Sequence, residues 1–212
     1  MRKLFSTFLL FVLAGVSLQA QKQRTQEITV KSAPDTFSVE FQTTKGDFVV
    51  EAYRKWSPKA VDRFYYLVTR GFYDSLALFR VQPDYVVQFG IADKPSENNY
   101  WEAHPLPDEP VIGSNRKGTI AYARGGKNSR TTQLFINYQD NYKLDTTNFN
   151  GLKGFPPFGQ VTEGMDVVER FYGGYGFEPA TKQDSIYDQG NAYLEKTYPK
   201  LDFIINAQVL EE

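Results

Sequence analysis

The stretch FRVQPDYVVQFG, residues 79–90, places one cation, Arg80, in a run that is otherwise apolar or amide-bearing apart from Asp84, and it closes on Gln88 and Gly90. Elsewhere the side chains that usually carry chemistry are sparse. His104 is the only histidine and lies in the proline-rich loop EAHPLPDEP, so there is no histidine cluster and no second imidazole base. A loop histidine of this kind reads as a solvated residue. With no cysteine, a thiol nucleophile, a thiolate metal site, a disulfide and a lipid anchor on sulfur are all excluded. Asp108 and Glu109 are adjacent acids between prolines that could hold a cation but read better as a solvated loop. GGKNS (125–129) lacks the upstream glycine and the Ser or Thr after lysine that a phosphate-binding loop needs. QDNYKLDTTNFNG (139–151) has oxygen ligands without the spacing of a calcium loop. What remains is an arginine and a glutamine on one strand–turn–strand unit, able to place positive charge and hydrogen bonds. Taken alone, each has a plainer reading, a strand arginine on a wet face and a surface amide.

Hydrophobic periodicity supplies the elements that would position them. Phe37, Val39 and Phe41 alternate with polar residues, TTKG forms a turn, and Phe48, Val50 and Ala52 alternate again, which predicts a β-hairpin. Ser57-Pro58 starts a helix as N-cap and first-turn proline; Val61, Phe64, Leu67 and Val68 follow at helical spacing, and Gly71 ends it. Further strands are expected at 76–81, 85–89, 118–124, 133–138 and 157–162, with a second helix at 165–171. The tail, 191–210, should hold a short helical or turn element and a last strand with Phe203, Ile205, Ala207 and Val209 on one face. Many strands with two clear helices indicate a mainly β, antiparallel barrel or sandwich.

Composition narrows the function classes. The 212-residue chain is 41% hydrophobic, and its net charge of −1 gives no global basic field for nucleic acid or anionic lipid. Residues 1–20 carry Arg2 and Lys3, an apolar run to about Val16, and small or polar residues to Ala20, the layout of a secretory signal peptide. That run is short for a membrane span, and no later stretch qualifies, so no stable span is expected after cleavage. Residues 21–35 are polar and aperiodic and read as a leader or tether; residues 36–212 read as one domain. Export is therefore expected, most simply to the periplasm, with secretion or tethering as the alternatives.

Taken in order, VDRFYYLVTRGFYDS, ALFRVQPDYVVQFG, GTIAYAR, TTQLFIN, the Leu144-Asp145 pair and FGQVTEGMDVVERF resemble the cyclophilin-type peptidyl-prolyl cis–trans isomerases over essentially all of residues 36–212. The resemblance implies a closed eight-stranded antiparallel β-barrel capped by two α-helices, no cofactor or metal, and proline-containing unfolded or partly folded chains as partners of a monomer. It implies that Arg80 is catalytic and that Gln88 holds the substrate backbone. It places Tyr85, Val86, Phe135, Leu144 and Phe155 around the proline, with Gln133 beside them. Ala123 and Arg124 would border the peptide groove, Arg124 through its backbone. The sequence departs from the family pattern at Phe79, often histidine, at Phe89, often glycine, at Phe155, where a rim histidine is usual, and at Lys143, where a rim tryptophan is common. An isomerase acting on exported chains is the reading that follows. The alternatives are a proline-directed peptide-binding or chaperone module with little catalysis and, more remotely, a carbohydrate-binding β-protein suggested only by the aromatic content.

Overall fold

The alternating Phe37, Val39 and Phe41 form β1 (Thr36–Thr43), paired in an antiparallel hairpin with β2 (Gly46–Tyr53), whose Phe48, Val50 and Ala52 point to the same interior. The computed structural model describes residues 32–149 and 151–210, so the segment 1–31, including the signal-like run and most of the polar leader, lies outside the described residues. From Ala33 the chain is already docked. Its N–H donates to an Asp62 carboxylate oxygen at 2.9 Å, and the Asp35 carbonyl accepts from Arg54 N–H.

Helix α1 (Pro58–Val68) lays Val61, Phe64, Leu67 and Val68 on this sheet. Its start differs from the expected Ser57 cap. Ser57 occupies the N-cap position, but its hydroxyl donates to Glu109 at 2.5 Å, and the Glu109 carboxylate accepts the first-turn N–H groups of Lys59 and Ala60 at 2.8 and 3.2 Å. An acid at a helix N-terminus satisfies the orphan donors and the macrodipole together. Glu109 also meets Arg130 at 3.0 Å, with both side chains almost fully buried. Glu109 is thus a buried cap rather than the solvated loop acid expected from its proline neighbours.

The remaining strands are β3 (Arg80–Val81), β4 (Val86–Phe89), β5 (Thr119–Tyr122), β6 (Leu134–Asn137), β7 (Asn148–Phe149), β8 (Leu152–Lys153), β9 (Pro157–Glu163) and β10 (Ile204–Val209). Eight of them form one antiparallel sheet in the order β10-β1-β2-β9-β5-β6-β4-β3, and β7 with β8 makes a separate small hairpin. Phe41, Phe48, Phe64, Phe89 and Phe158 fill the interior, with Phe41 and Phe48 stacked at 4.9 Å. The expected closed barrel is corrected to a curled, open-ended sheet. Its edge strands β3 and β10 share no ladder. Ala77 and Phe203 form an isolated bridge just before them, flanked by bonds from Leu78 N–H to the Asp202 carbonyl and from Ile204 N–H to the Leu76 carbonyl. The edge stays short because β3 holds only two residues before the Pro83-Asp84 turn, and proline brings no N–H to a ladder. In that turn Asp84 has a φ of 62°, a left-handed conformation that Asp tolerates.

The helix count also exceeds the expected two. Besides α1 and α4 (Met165–Glu169), the chain forms α2 (Pro95–Glu102), a single turn α3 (Lys143–Thr146) and α5 (Gln183–Thr197), which is broken at Gly190 with a φ of 60°. A Cβ at Gly190 would collide with the Asp93 carbonyl, so this kink requires glycine. The part of α5 after Gly190 is the short helical element expected at the start of 191–210, and its first half was missed because that polar sequence shows little apolar periodicity. The last strand is shifted as well. Ile204 and Ala207 face inward, while Ile205 is 57% exposed. Pairing steps from Gln42–Asn206 to Thr43–Ile204, which leaves Ile205 as the extra residue of a β-bulge and turns it outward, while Ala207 and Val209 keep the expected face.

Candidate active site

Arg80 stands opposite Gln88, Gln88 opposite Phe135, and Phe135 opposite Ala121, so four side chains form one row across β3, β4, β6 and β5. Strand alternation sets their face. Val87, Phe89, Leu134, Ile136, Ile120 and Tyr122 enter the main core, whereas Val86, Phe135 and Ala121 form a separate apolar cluster on the other side. Tyr85, Ala123, Leu144 and Phe155 pack against that cluster, with Phe155 edge-on to Phe135 at 5.9 Å. The result is a groove of about 340 Å³ with an apolar slot at one end and Arg80 and Gln88 beside it.

The slot's outer wall is held by polar bonds beneath it. Phe155 N–H donates to the Leu144 carbonyl, and Asn115 Nδ2 donates to the Phe155 carbonyl and to Asp145, each at 2.7–2.8 Å. Asp145 also accepts from Ser114 Oγ and Asn115 N–H. The Arg124 side chain, expected to be dispensable, is buried. Its guanidinium bonds the Gly154 carbonyl, pairs with Asp108 at 3.4 Å and lies 5.0 Å from the Phe155 ring centre. Arg124 therefore shapes the rim through its side chain, and burial pushes its pKa down.

Half-buried Arg80 differs from the buried arginines in what surrounds its charge. Arg124 and Arg130 have carboxylate partners, and Arg63 donates to the Thr131 and His104 carbonyls. Arg80 forms no ion pair among the described residues. Its Nε donates to Gln82 Oε1 at 2.7 Å and its Nη1 to Gln88 Oε1 at 2.9 Å. The rings of Tyr85 and Phe177 lie 5.3 and 4.7 Å from the guanidinium. Burial lowers its pKa from the ordinary arginine value, but a guanidinium remains charged throughout the neutral range. The geometry thus presents a partly desolvated cation, fixed by neutral amides and rings, to an open groove.

Gln88 continues the chain of donors. Its Nε2 donates to Gln133 Oε1 at 2.8 Å, and Gln133 Nε2 donates to Gln183 and to the Tyr187 hydroxyl. Tyr187 donates in turn to Glu102 at 2.9 Å, while burial pushes its own pKa well up. All ten residues singled out from the sequence thus lie in or beside one groove, with Gln133 facing an adjoining polar recess of about 310 Å³. Phe177, Ala180, Gln183 and Tyr187 were not expected there. They come from the excursion between α4 and β10, and the aromatic content of YGGYGFEP was its only visible signal. His104 is not among the groove's lining residues; its Nδ1 lies 2.6 Å from the Tyr100 carbonyl. No group of three or more His, Cys, Asp or Glu capable of holding a metal occurs among the described residues. The sequence departures are absorbed locally. Phe79 packs with Ile186 and Leu194 under α5, and Phe89 sits in the core, edge-on to Phe41 and Tyr73.

Residues 38–189 match the family described as cyclophilin type peptidyl-prolyl cis-trans isomerase/CLD. Peptidyl-prolyl cis-trans isomerase B of Escherichia coli (strain K12) is 31% identical over 180 residues, 82% of this chain and 99% of that protein. A crystal structure of a cyclophilin type peptidyl-prolyl cis-trans isomerase from Cryptosporidium parvum superposes with a TM-score of 0.60 at 18% identity, covering 84% of this chain and 99% of the other. The same Cryptosporidium protein solved in the presence of the dipeptide Ala-Pro gives a TM-score of 0.55 at 19% identity, covering 82% and 99%. With a family match over most of its length and a relative matched almost end to end, this chain belongs to the cyclophilin-type family and is a peptidyl-prolyl cis–trans isomerase.

Proposed function

We propose that the substrate proline enters the slot of Val86, Phe135, Leu144 and Phe155, and that Arg80 stabilises the twisted prolyl bond. A prolyl bond has a rotational barrier of roughly 20 kcal/mol and isomerises unaided over tens to hundreds of seconds. Twisting it breaks conjugation and leaves a lone pair on nitrogen. A cation aimed at that nitrogen favours the twisted state over both planar ones. Removing ~7 kcal/mol from the barrier accelerates rotation by about five orders of magnitude. No proton transfer or covalent intermediate enters this scheme. Gln88 holds Arg80 by its amide oxygen and has a second N–H for a peptide carbonyl. The supporting observation is the partly desolvated Arg80, without an ion pair among the described residues, beside an apolar slot, and the Ala-Pro dipeptide present with the Cryptosporidium relative fits the substrate class.

The scheme has a pH signature. Burial lowers the Arg80 pKa, so charge is lost only on the alkaline side, and nothing in the scheme titrates near neutrality. The ratio kcat/KM on a short proline peptide is expected to be flat between about pH 6 and 9. A bell-shaped profile centred near neutrality would contradict it by requiring a carboxylate or imidazole in the rate.

We place this activity in the folding of exported proteins, with proline-containing unfolded chains as clients. The signal-like residues 1–20 support that reading, and among the described residues no helix is long and apolar enough to cross a membrane. Mass spectrometry of the protein from fractionated cells of its source is expected to find a mature N-terminus just after Ala20 in the periplasmic fraction. An intact N-terminus in the cytosol would rule the reading out.

A further inference from the structure

We propose that Phe177 is a specificity-determining contact that favours an apolar or aromatic side chain next to the substrate proline. The inference rests on the groove being the substrate site. Phe177 is fixed through its backbone: Gly176 forms a bridge with Val81 of β3, and the Phe177 carbonyl accepts the Ala180 N–H at 3.1 Å. The following helix α5 is anchored under Phe79 and Ile91 by Ile186 and Leu194, and a bond from Gln133 Nε2 to Gln183 Oε1 ties it to the groove's polar side. Yet Phe177 is 49% exposed and belongs to none of the buried apolar clusters. A large ring held in place and left uncovered costs solvation, and here it lines the same groove as Phe135 and Val86.

The position relative to Arg80 decides what the ring can meet. Its centre lies 4.7 Å from the guanidinium. A proline in the slot with its imide at Arg80 carries each flanking Cα about 3.8 Å further along the chain. A flanking side chain therefore passes within reach of Phe177. An apolar one covers the exposed ring. A basic one is repelled by Arg80, and an acidic one pairs with Arg80 and withdraws it from the imide.

The test compares short peptides that differ only in the residue before or after proline, with Ala, Leu, Phe and Glu at each place. The preference of the unmodified enzyme for Phe or Leu over Ala is expected to fall about tenfold in Phe177→Ala, mainly through KM, and to return in Phe177→Trp. A uniform loss across all peptides, or no change in the preference, would overturn the proposal. Full activity of Phe135→Ala toward every peptide of the same series would instead overturn the groove assignment beneath it.

Discussion

Arg80→Ala is expected to lower kcat/KM for a short proline peptide by about 10²–10³ while the urea midpoint stays close to that of the unmodified protein. The magnitude follows from the place of the charge. Arg80 is partly desolvated, has no carboxylate partner among the described residues, and faces the slot that would hold the proline. Charge in such a site stabilises a developing lone pair far better than it would in water. The fold should tolerate the change because Arg80 is only half-buried on the outer face, and its partners are neutral amides: Gln82 is half-buried, and Gln88 lines the open groove, where water can take the place of the lost donor. Arg80→Lys keeps the charge but loses the fork that meets Gln82 and Gln88 together, so its activity should fall between the two. A loss of less than about threefold in Arg80→Ala would remove electrostatic stabilisation as the main term.

The second large effect concerns stability. Glu109→Ala is expected to cost about 3–5 kcal/mol, read from urea unfolding with an unchanged slope. One substitution removes the acceptor for Ser57 and two first-turn N–H groups of α1 and leaves the Arg130 guanidinium buried without its counter-charge. Arg130 would keep the Pro107 carbonyl at 2.5 Å, and that neutral acceptor cannot replace a carboxylate. Glu109→Gln preserves hydrogen-bonding capacity without charge and should recover part of the loss. A cost below about 1 kcal/mol for Glu109→Ala would mean that the pair only breaks even with solvent.

How far the sequence could be read depended on whether a residue's environment is local. The hairpin of Phe37 to Ala52 and the apolar face of α1 are encoded by period and by turn chemistry within a few residues, and they appear as expected, whereas the cap of α1 comes from the distant Glu109. The groove residues were legible because short motifs matched a known order, and one register row then brings Arg80, Gln88 and Phe135 together. Ile205 was misassigned because a bulge depends on the partner strand, where the pairing slips between Gln42 and Thr43. Glu109 was misread because its partners Ser57 and Arg130 are 52 and 21 residues away. Phe177 was missed for the same reason. Nothing in YGGYGFEP says that Gly176 will meet Val81 and set the neighbouring ring beside Arg80.

The central claim is that Arg80 acts on the twisted bond rather than on binding. It is tested most directly by exchange NMR on a proline peptide at equilibrium, comparing the unmodified enzyme with Arg80→Ala. The account predicts that both bind the peptide, with similar shift changes around Phe135 and Leu144, and that only the unmodified enzyme drives rapid cis–trans exchange. Rapid exchange in the Arg80→Ala complex would contradict it.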